Sequence, residues 1–164
     1  MKIGIPRALL FYCYYPFWKA LFEGLGCEVI VSNETCSKII SEGSNVTVSE
    51  LCVPIKIFNG HVLDLLKKEV DYIFIPRFAT MGKREWYCPK FIGLTELEKY
   101  SIPEKDSKML SLDIRSKDDR INDLSIYLPL CDKLHISKKQ LKAALANASR
   151  QHERFRTLCE SGYD

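Results

Sequence analysis

Short apolar runs that alternate with amphipathic stretches predict strands separated by helices. Runs at 2–5, 27–31, 71–75 and 109–114 have the length and the β-branched content of buried strands. Apolar residues recur at helical spacing over about 11–25, 54–68 and 138–160. A strand, a helix and a second strand within about thirty residues form a βαβ unit, in which the two strands are parallel. The pattern therefore predicts a Rossmann-like α/β domain with three layers, about four parallel strands and a long C-terminal helix.

Glycine, proline and serine set the predicted ends of the longer elements. Gly26 ends the first helix, Pro76 ends the third strand, and Ser137 caps the last helix. No period holds over 78–87, so this segment is predicted to be a loop at the carboxyl end of a strand. Open α/β sheets bind their ligands at that edge.

Shorter helices are predicted between the strands. One follows the capping residues 32–35 and is ended by Gly43. Another covers about 89–99, and a third covers about 122–134. Pro129 lies inside the third segment and predicts a kink or an early break, because proline lacks the N–H that a helix interior needs.

Two cysteines stand directly before predicted helix starts. Cys52 precedes Val53 and Pro54, and Pro54 suits a first helical turn because the N–H that it lacks would be unpaired there. Cys88 precedes Pro89 in the same way. The helix dipole favours a thiolate at this position, which makes the sulfur a better metal ligand or nucleophile. The competing interpretation is a plain buried thiol, since free cysteine is a common core residue.

Composition restricts the class of protein. The 164 residues are 46% hydrophobic and 11% aromatic, which is typical of a globular chain with a core. A net charge of +3 does not require a nucleic acid or a membrane surface as partner. No apolar run approaches the roughly 20 residues of a transmembrane helix, and the N-terminus lacks a signal peptide. We predict a cytoplasmic protein whose 7 cysteines are thiols or metal ligands rather than disulfides.

Motifs in a fixed order resemble a known family over nearly the whole chain. They are IGIPRAL at 3–9, YPFW at 15–18, LG and EV within 25–29, Ser32 with Thr35, CVPIK at 52–56, GHV at 60–62, IPR at 75–77, and YCPKF with GL within 87–94. The closing helix at 137–155 fits as well. The sequence resembles the N-terminal domain of the uncharacterised proteins that are related to 2-hydroxyacyl-CoA dehydratases and found beside, or fused to, their CoA-enzyme activases.

The resemblance implies an iron–sulfur redox module. Dehydratases of this group hold a 4Fe–4S cluster on cysteines between Rossmann-like domains, and an ATP-driven activase supplies one electron. The dehydratase uses that electron to eliminate water from a 2-hydroxyacyl-CoA through a ketyl radical, and some double-cubane relatives reduce small molecules. The implied partners are the ATP-dependent activase, an acyl-CoA substrate, and a second domain or partner subunit. We accordingly expect residues 1–164 to be a single Rossmann-like domain, the N-terminal part of a longer protein.

Charged residues near the predicted ligand edge are candidates for binding. Arg7 and Arg77 follow strand ends and can hold a phosphate or a carboxylate, and Lys56 and Lys90 can do the same. His61 lies in the helix that begins after the first cysteine, where a packed histidine is the alternative interpretation. We predict that a cofactor is bound by Lys56, His61, Arg77 and Lys90, and we identify no catalytic residue.

The predicted metal ligands are Cys52 and Cys88, and two thiolates are too few for an ordinary cluster. Cys36, Cys131, a second domain or a partner chain would supply the others, whereas Cys13, Cys27 and Cys159 are predicted to be structural. Two functions therefore remain open. One is an iron–sulfur module of a dehydratase or reductase, and the other is a non-catalytic assembly domain that docks an activase or a CoA-type ligand.

Overall fold

A computed structural model describes residues 1–82, 86–102, 108–116 and 120–162 of the chain. Its strands are β1 (Lys2–Ile5), β2 (Glu28–Val31), β3 (Tyr72–Met81) and β4 (Met109–Ser116). They form a 4-stranded sheet in the order β2-β1-β3-β4. Every pairing in this sheet is parallel, so the predicted α/β class with parallel strands is confirmed.

Helices flank the sheet on both faces. In chain order they are α1 (Phe11–Gly24), α2 (Ser37–Val46), α3 (Val53–Leu66), α4 (Pro89–Ile92), α5 (Leu94–Ser101), α6 (Leu124–Tyr127), α7 (Pro129–Lys133) and α8 (Lys138–Ser161). The long C-terminal helix was expected, and it begins at a capping box in which Ser137 and Gln140 bond each other's backbone. Among the described residues, no helix combines the length and the apolar character needed to cross a bilayer.

Alternate side chains of β3 serve two separate cores. Phe74 and Phe78 join the cluster that α1 and α8 cover, where the Trp18 ring lies 4.8 Å from the Phe74 ring. Ile73 and Ile75 join the cluster that α3 and α5 cover on the opposite face. A parallel strand with helices on both sides must be apolar on both faces. The three-layer architecture follows from this arrangement.

The prediction that Pro76 ends the third strand is wrong. β3 continues through Pro76 to Met81, and Pro76 pairs in register with Leu112 of β4. β1 pairs with β3 only at Ile3–Tyr72 and Gly4–Ile73, so the part of β3 after Ile73 has no β1 residue paired with it. A strand tolerates proline where one side has no neighbour that needs its N–H. Residues 78–81 therefore belong to the strand and not to the predicted loop.

The prediction that Gly43 ends a helix is also wrong. Gly43 lies inside α2, which begins after Cys36 and runs to Val46. A Cβ atom on Gly43 would collide with the Lys56 carbonyl oxygen, and one on Gly60 would collide with the Ile39 carbonyl oxygen. The two glycines let the backbones of α2 and α3 approach closely. Gly43 thus serves helix packing.

Other boundaries were predicted in part. The expected break at Pro129 is confirmed, because α6 ends at Tyr127 and α7 begins at the proline. The helix expected over 89–99 is two short helices that meet at Gly93. The apolar positions that recur over 138–160 predict a buried side that includes Leu158, and this is wrong at Leu158, which is 70% exposed. β4 was predicted over 109–114 and continues to Ser116, and residues 117–119 lie outside the described residues.

Candidate functional site

The carboxyl edge of the sheet is not level. β1 and β2 end together, at Ile5 and Val31. β3 and β4 continue beyond them, because Gly4 already lies opposite Ile73, near the start of β3. The loop after β1 and the segments that lead into α3 and α4 meet this edge. It is the place where parallel α/β sheets bind ligands.

Cys52 and Cys88 are the N-cap residues of α3 and α4, as their spacing predicts. The Cys52 carbonyl accepts from the backbone N–H of Ile55 at 3.1 Å, and the Cys88 carbonyl accepts from that of Phe91 at 2.8 Å. Both residues have extended ψ angles, of 154° and 138°. Each sulfur is therefore attached where a helix presents unpaired amides.

Both cysteines are exposed, which excludes the interpretation that they are buried core thiols. The helix after Cys52 and the helix that follows α4 lie on the same face of the sheet, since Ile55 and Phe58 of α3 share one apolar cluster with Leu94 of α5. Tyr87, directly before Cys88, packs against the cluster that α1 and α8 cover. A shared site for the two sulfurs stays a prediction.

The remaining cysteines are distributed over the molecule. Cys36 is exposed and caps α2 after the carboxyl end of β2. Cys131 packs against the cluster on the opposite face, under α1 and α8, which separates it from the Cys52 helix. Cys27 is buried, as a structural thiol would be, whereas Cys13 and Cys159 are exposed. Within the part of the chain that the structure describes, no three His, Cys, Asp or Glu side chains are grouped to hold a metal ion.

Lys56 and Lys90 follow the two cysteines closely. Lys56 lies one turn into α3, and its Nζ donates to the Ser49 carbonyl at 3.1 Å, in the segment that leads to Cys52. Lys90 lies in the single turn of α4, two positions after Cys88. Each exposed sulfur therefore has an ammonium group on its own helix.

Arg77 is held by a neighbouring strand. Its Nε and Nη2 donate to the two carboxylate oxygens of Asp113, each at 2.5 Å, and the hydrogen bond to this carboxylate raises the pKa of Arg77. Arg77 and Asp113 stand opposite each other in the register of β3 and β4. The side chains of Thr95, Glu96 and both ion-pair partners line one open cavity beside α5. A ligand anion at Arg77 would compete with Asp113.

His61 is fully buried on α3 and connects two loops of the carboxyl edge. Its Nδ1 lies 2.9 Å from the Ser32 hydroxyl and its Nε2 lies 2.9 Å from the Thr35 hydroxyl. Ser32 in turn accepts from the backbone N–H of Arg7 at 2.7 Å. Of the two interpretations of His61, these contacts match that of a packed histidine. A ligand contact at His61 stays a prediction.

The protonation state of His61 follows from its surroundings. Burial lowers its pKa, and the nearby Arg7 and Lys68 charges act in the same direction, against Asp64. His61 is therefore neutral near pH 7. The Ser32 oxygen accepts a hydrogen bond from the Arg7 backbone N–H, so the Ser32 hydroxyl donates its own hydrogen to Nδ1, which places the ring proton on Nε2. His61 lies about 14 Å along the helix axis from Cys52, by the rise of 1.5 Å per residue.

The chain matches the model of one protein family over nearly its whole length. The model of the family described as CoA enzyme activase uncharacterised domain (DUF2229) matches residues 2–163. The chain belongs to this family. Comparisons with curated proteins and with solved structures gave no match. The assignment confirms the resemblance to an activase-associated domain, and the family description relates it to a CoA enzyme activase without stating a reaction.

One polar cluster of this domain was missed in the sequence. Asn59 and Glu98 are fully buried between α3 and α5, next to the buried Thr47. In the amide orientation that satisfies both amide atoms, the Asn59 nitrogen donates to Glu98 and to the Ile55 carbonyl, and its oxygen accepts from Thr47. The available signal was a polar residue, Asn59, among the apolar positions of the α3 stripe. The contact ties the helix that begins after Cys52 to the helix that follows Cys88.

A small apolar cavity of about 30 Å³ lies between the carboxyl ends of β1 and β3. Its walls include Pro6, Leu9, Phe58, Phe78 and Phe91. This is the switch point of the sheet, because the chain adds β2 on one side of β1 and β3 on the other. The volume corresponds to about one water molecule. At this size the cavity is a packing defect of the loop after β1, and it does not admit a cofactor.

Proposed function

We propose that this domain is a redox module that contributes Cys52 and Cys88 to an iron–sulfur cluster. The observation that carries the proposal is the pair of exposed thiols, each of which is the N-cap residue of a helix. The other ligands come from outside the described residues, on a second domain or a partner subunit. The resemblance to dehydratase-related proteins makes an ATP-dependent activase the electron donor.

The donor set fits such a group in three respects. Iron–sulfur clusters are bound by cysteine thiolates, and both sulfurs are accessible. Helix amides beside a cluster stabilise its negative charge and tune its reduction potential. Lys56 and Lys90 add positive charge near the two sulfurs. When bound, the cluster would supply one-electron transfer.

The other predicted binding residues take different roles in this proposal. Lys56 and Lys90 would contact the anionic groups of a CoA-type ligand near the cysteines. Arg77 would bind such a group only after its ion pair with Asp113 is broken. The Asp113 side chain is half-exposed and can turn to solvent. His61 positions the loop at Ser32 and Thr35 and does not need to touch the ligand.

A non-catalytic assembly domain is the second candidate function. Exposed apolar side chains stand close in sequence to both cysteines: Val48 and Val53 are 63% and 62% exposed, and Trp86 is 72% exposed. Such side chains are typical of a surface that a partner covers. In this case the domain would dock an activase or a CoA-type ligand, and Cys52 and Cys88 would pack in the interface.

Anaerobic iron and sulfide analysis of the full-length protein separates the two functions. The redox proposal expects a brown wild-type protein, a loss of most of the iron in Cys52→Ser and Cys88→Ser, and no loss in the control Cys159→Ser, whose thiol is also exposed. Equal iron in all four proteins would contradict it. The assembly function instead expects a colourless wild type and a Cys52→Ala variant that still binds the activase.

A further inference from the structure

A second candidate site lies on the opposite face of the sheet from Cys52. A pocket of about 180 Å³ opens between α8 and the segment that follows β4. Its polar wall consists of Arg120, Asn122, Ser149, His152, Glu153 and Arg156, and Phe17 forms part of its apolar wall. We refer to these residues as the His152 pocket. Neither the family nor the proposed redox function assigns it a role.

Among the described residues that line it, the His152 pocket has more positive than negative groups. They are two guanidinium groups, of Arg120 and Arg156, and one carboxylate, of Glu153. Arg156 also forms an exposed ion pair with Glu160 at 3.6 Å, a contact that is long and easily exchanged. Arginine presents several N–H donors in a planar fork that matches the oxygens of phosphate and carboxylate. The charge and the donor type both select an anion.

His152 gives the pocket a rigid wall. Its ring stacks on Tyr14 with centroids 5.4 Å apart and on Phe155 at 6.5 Å, and it meets Phe17 edge to face at 6.1 Å. Nδ1 is buried and has no hydrogen-bond partner among the described residues. A buried nitrogen without an acceptor is best left without a proton, so we assign the single proton of the neutral ring to Nε2. In that tautomer His152 is a donor.

We propose that the His152 pocket binds a tetrahedral oxyanion of the class of inorganic phosphate or a phosphate monoester. Arg120, Arg156, the Asn122 amide and the His152 ring offer N–H donors to such an ion. The Ser149 hydroxyl donates to the Leu145 carbonyl at 2.9 Å, so its oxygen can accept a hydrogen bond from a monoprotonated phosphate but does not donate one to it. The Glu153 carboxylate repels a fully ionised ligand and lowers its affinity.

Protonation of His152 is coupled to anion binding. Burial lowers its pKa, Arg156 acts in the same direction, and Glu153 opposes them. Among the described residues, the charged or titratable groups that line the cavities beside the ring are Arg120, Arg156, Glu153, Glu160, Cys13, Cys159 and Tyr14. A bound anion favours the imidazolium, so by linkage the anion binds more tightly when the pH falls.

Anion titration followed by NMR tests the assignment. We expect saturable shifts of His152 and its neighbours with phosphate and with glycerol phosphate at constant ionic strength, and none with chloride. Tighter binding of glycerol phosphate identifies a phosphate ester as the ligand, and equal binding identifies the free ion. Shifts with chloride of the same size as with phosphate would overturn the proposal.

Matched variants locate the binding at the pocket. Arg120→Gln and Arg156→Gln should each weaken phosphate binding about tenfold, the effect of one charge-assisted contact. Arg154→Gln removes the same charge from the same helix as Arg156 but from outside the His152 pocket, and it should leave the affinity nearly unchanged. If Arg154→Gln weakens binding as much as Arg156→Gln does, the effect is one of general charge and the site is rejected.

Sulfate, which does not titrate between pH 5.5 and 7.5, isolates the role of His152. Wild type should bind sulfate more tightly at pH 5.5 than at pH 7.5. His152→Phe keeps the stacked ring and removes the donor, so it should fold normally, bind more weakly and lose the pH dependence. Unchanged binding and unchanged pH dependence in this variant would exclude His152 from the site. Because these readouts involve neither iron nor Cys52 and Cys88, they are independent of the redox proposal.

Discussion

Individual cysteine side chains differ in their access to solvent. Cys52 and Cys88 are exposed at helix starts, whereas Cys27 is 8% exposed and lies in the core beneath α1. Burial raises the pKa of Cys27, so it carries less thiolate at a given pH. Burial and the raised pKa therefore both protect Cys27, whereas exposure leaves the two candidate ligands open to reaction.

Thiol titration of the metal-free protein tests this difference. With an aromatic disulfide reagent at pH 8, Cys52 and Cys88 should react in a fast phase, at least about tenfold faster than Cys27, because the thiolate is the reacting species. Cys27 should become equally reactive only in urea. Mass spectrometry of the labelled peptides identifies each site. A single rate for all the cysteines would contradict the burial described for Cys27.

Two helices, α2 and α3, are packed through glycine. Gly43 was predicted to end a helix because glycine is a common stop signal, and a single sequence does not reveal that a neighbouring backbone occupies the space of a side chain. Gly60 provides the matching surface on α3. The glycine positions were visible in the sequence, but the partner that gives them their purpose is a tertiary contact.

The Gly60→Ala substitution tests this contact. Its Cβ would meet the backbone of Ile39, which cannot move as a side chain can, so we expect the free energy of unfolding to fall by about 3 kcal/mol. Ser41→Ala, at an exposed position of α2, is the control and should change it by less than about 0.5 kcal/mol. Urea denaturation followed by circular dichroism measures both. A loss below about 1 kcal/mol for Gly60→Ala would mean that α2 and α3 can move apart at little cost in free energy.

The α3–α5 contact makes a separate prediction. Glu98→Ala leaves the buried Asn59 amide without one of its two acceptors, and we expect a loss of about 2–3 kcal/mol in unfolding free energy. Glu98→Gln retains an oxygen at the same place and should lose clearly less. The control Glu96→Ala, on the exposed side of the same helix, should change little. Equal losses in Glu98→Ala and Glu96→Ala would show that the buried contact contributes nothing.

Across the whole molecule, the architecture was more predictable than its details. The strands and the last helix have strong periodicity and clear caps, and they appear where the pattern places them, with Ser137 as the N-cap. The end of β3 was predicted wrongly at Pro76, because whether a strand tolerates proline depends here on where β1 ends, which is a property of the sheet. Cys52 and Cys88 were recognised from local spacing, since an N-cap is a local feature. Glu98 and His152 were not recognised, because distant residues determine their surroundings.

Stability should depend on pH near neutrality through two histidines. Burial lowers the pKa of both His61 and His152, so the unfolded chain binds more protons than the folded one as the pH falls below about 6.5. The free energy of unfolding should therefore be greatest above that pH and decrease towards pH 5.5, while most carboxylates titrate lower. Urea titrations at pH 5.5, 6.5 and 7.5 measure the slope, and His152→Phe should reduce it. Stability that rises on acidification would contradict this assignment.

The central place of β1 has a consequence for biosynthesis. β1 is the first strand of this chain to leave the ribosome, yet its two neighbours in the sheet are β2 and β3. The backbone N–H of Lys2 donates to the Asp71 carboxylate at 2.6 Å across 69 positions of sequence. At translation rates of about 5–20 residues per second, one edge of the nascent β1–β2 pair stays open for several seconds. During that interval the growing chain presents an apolar strand edge of the kind that chaperones protect and that aggregation exploits.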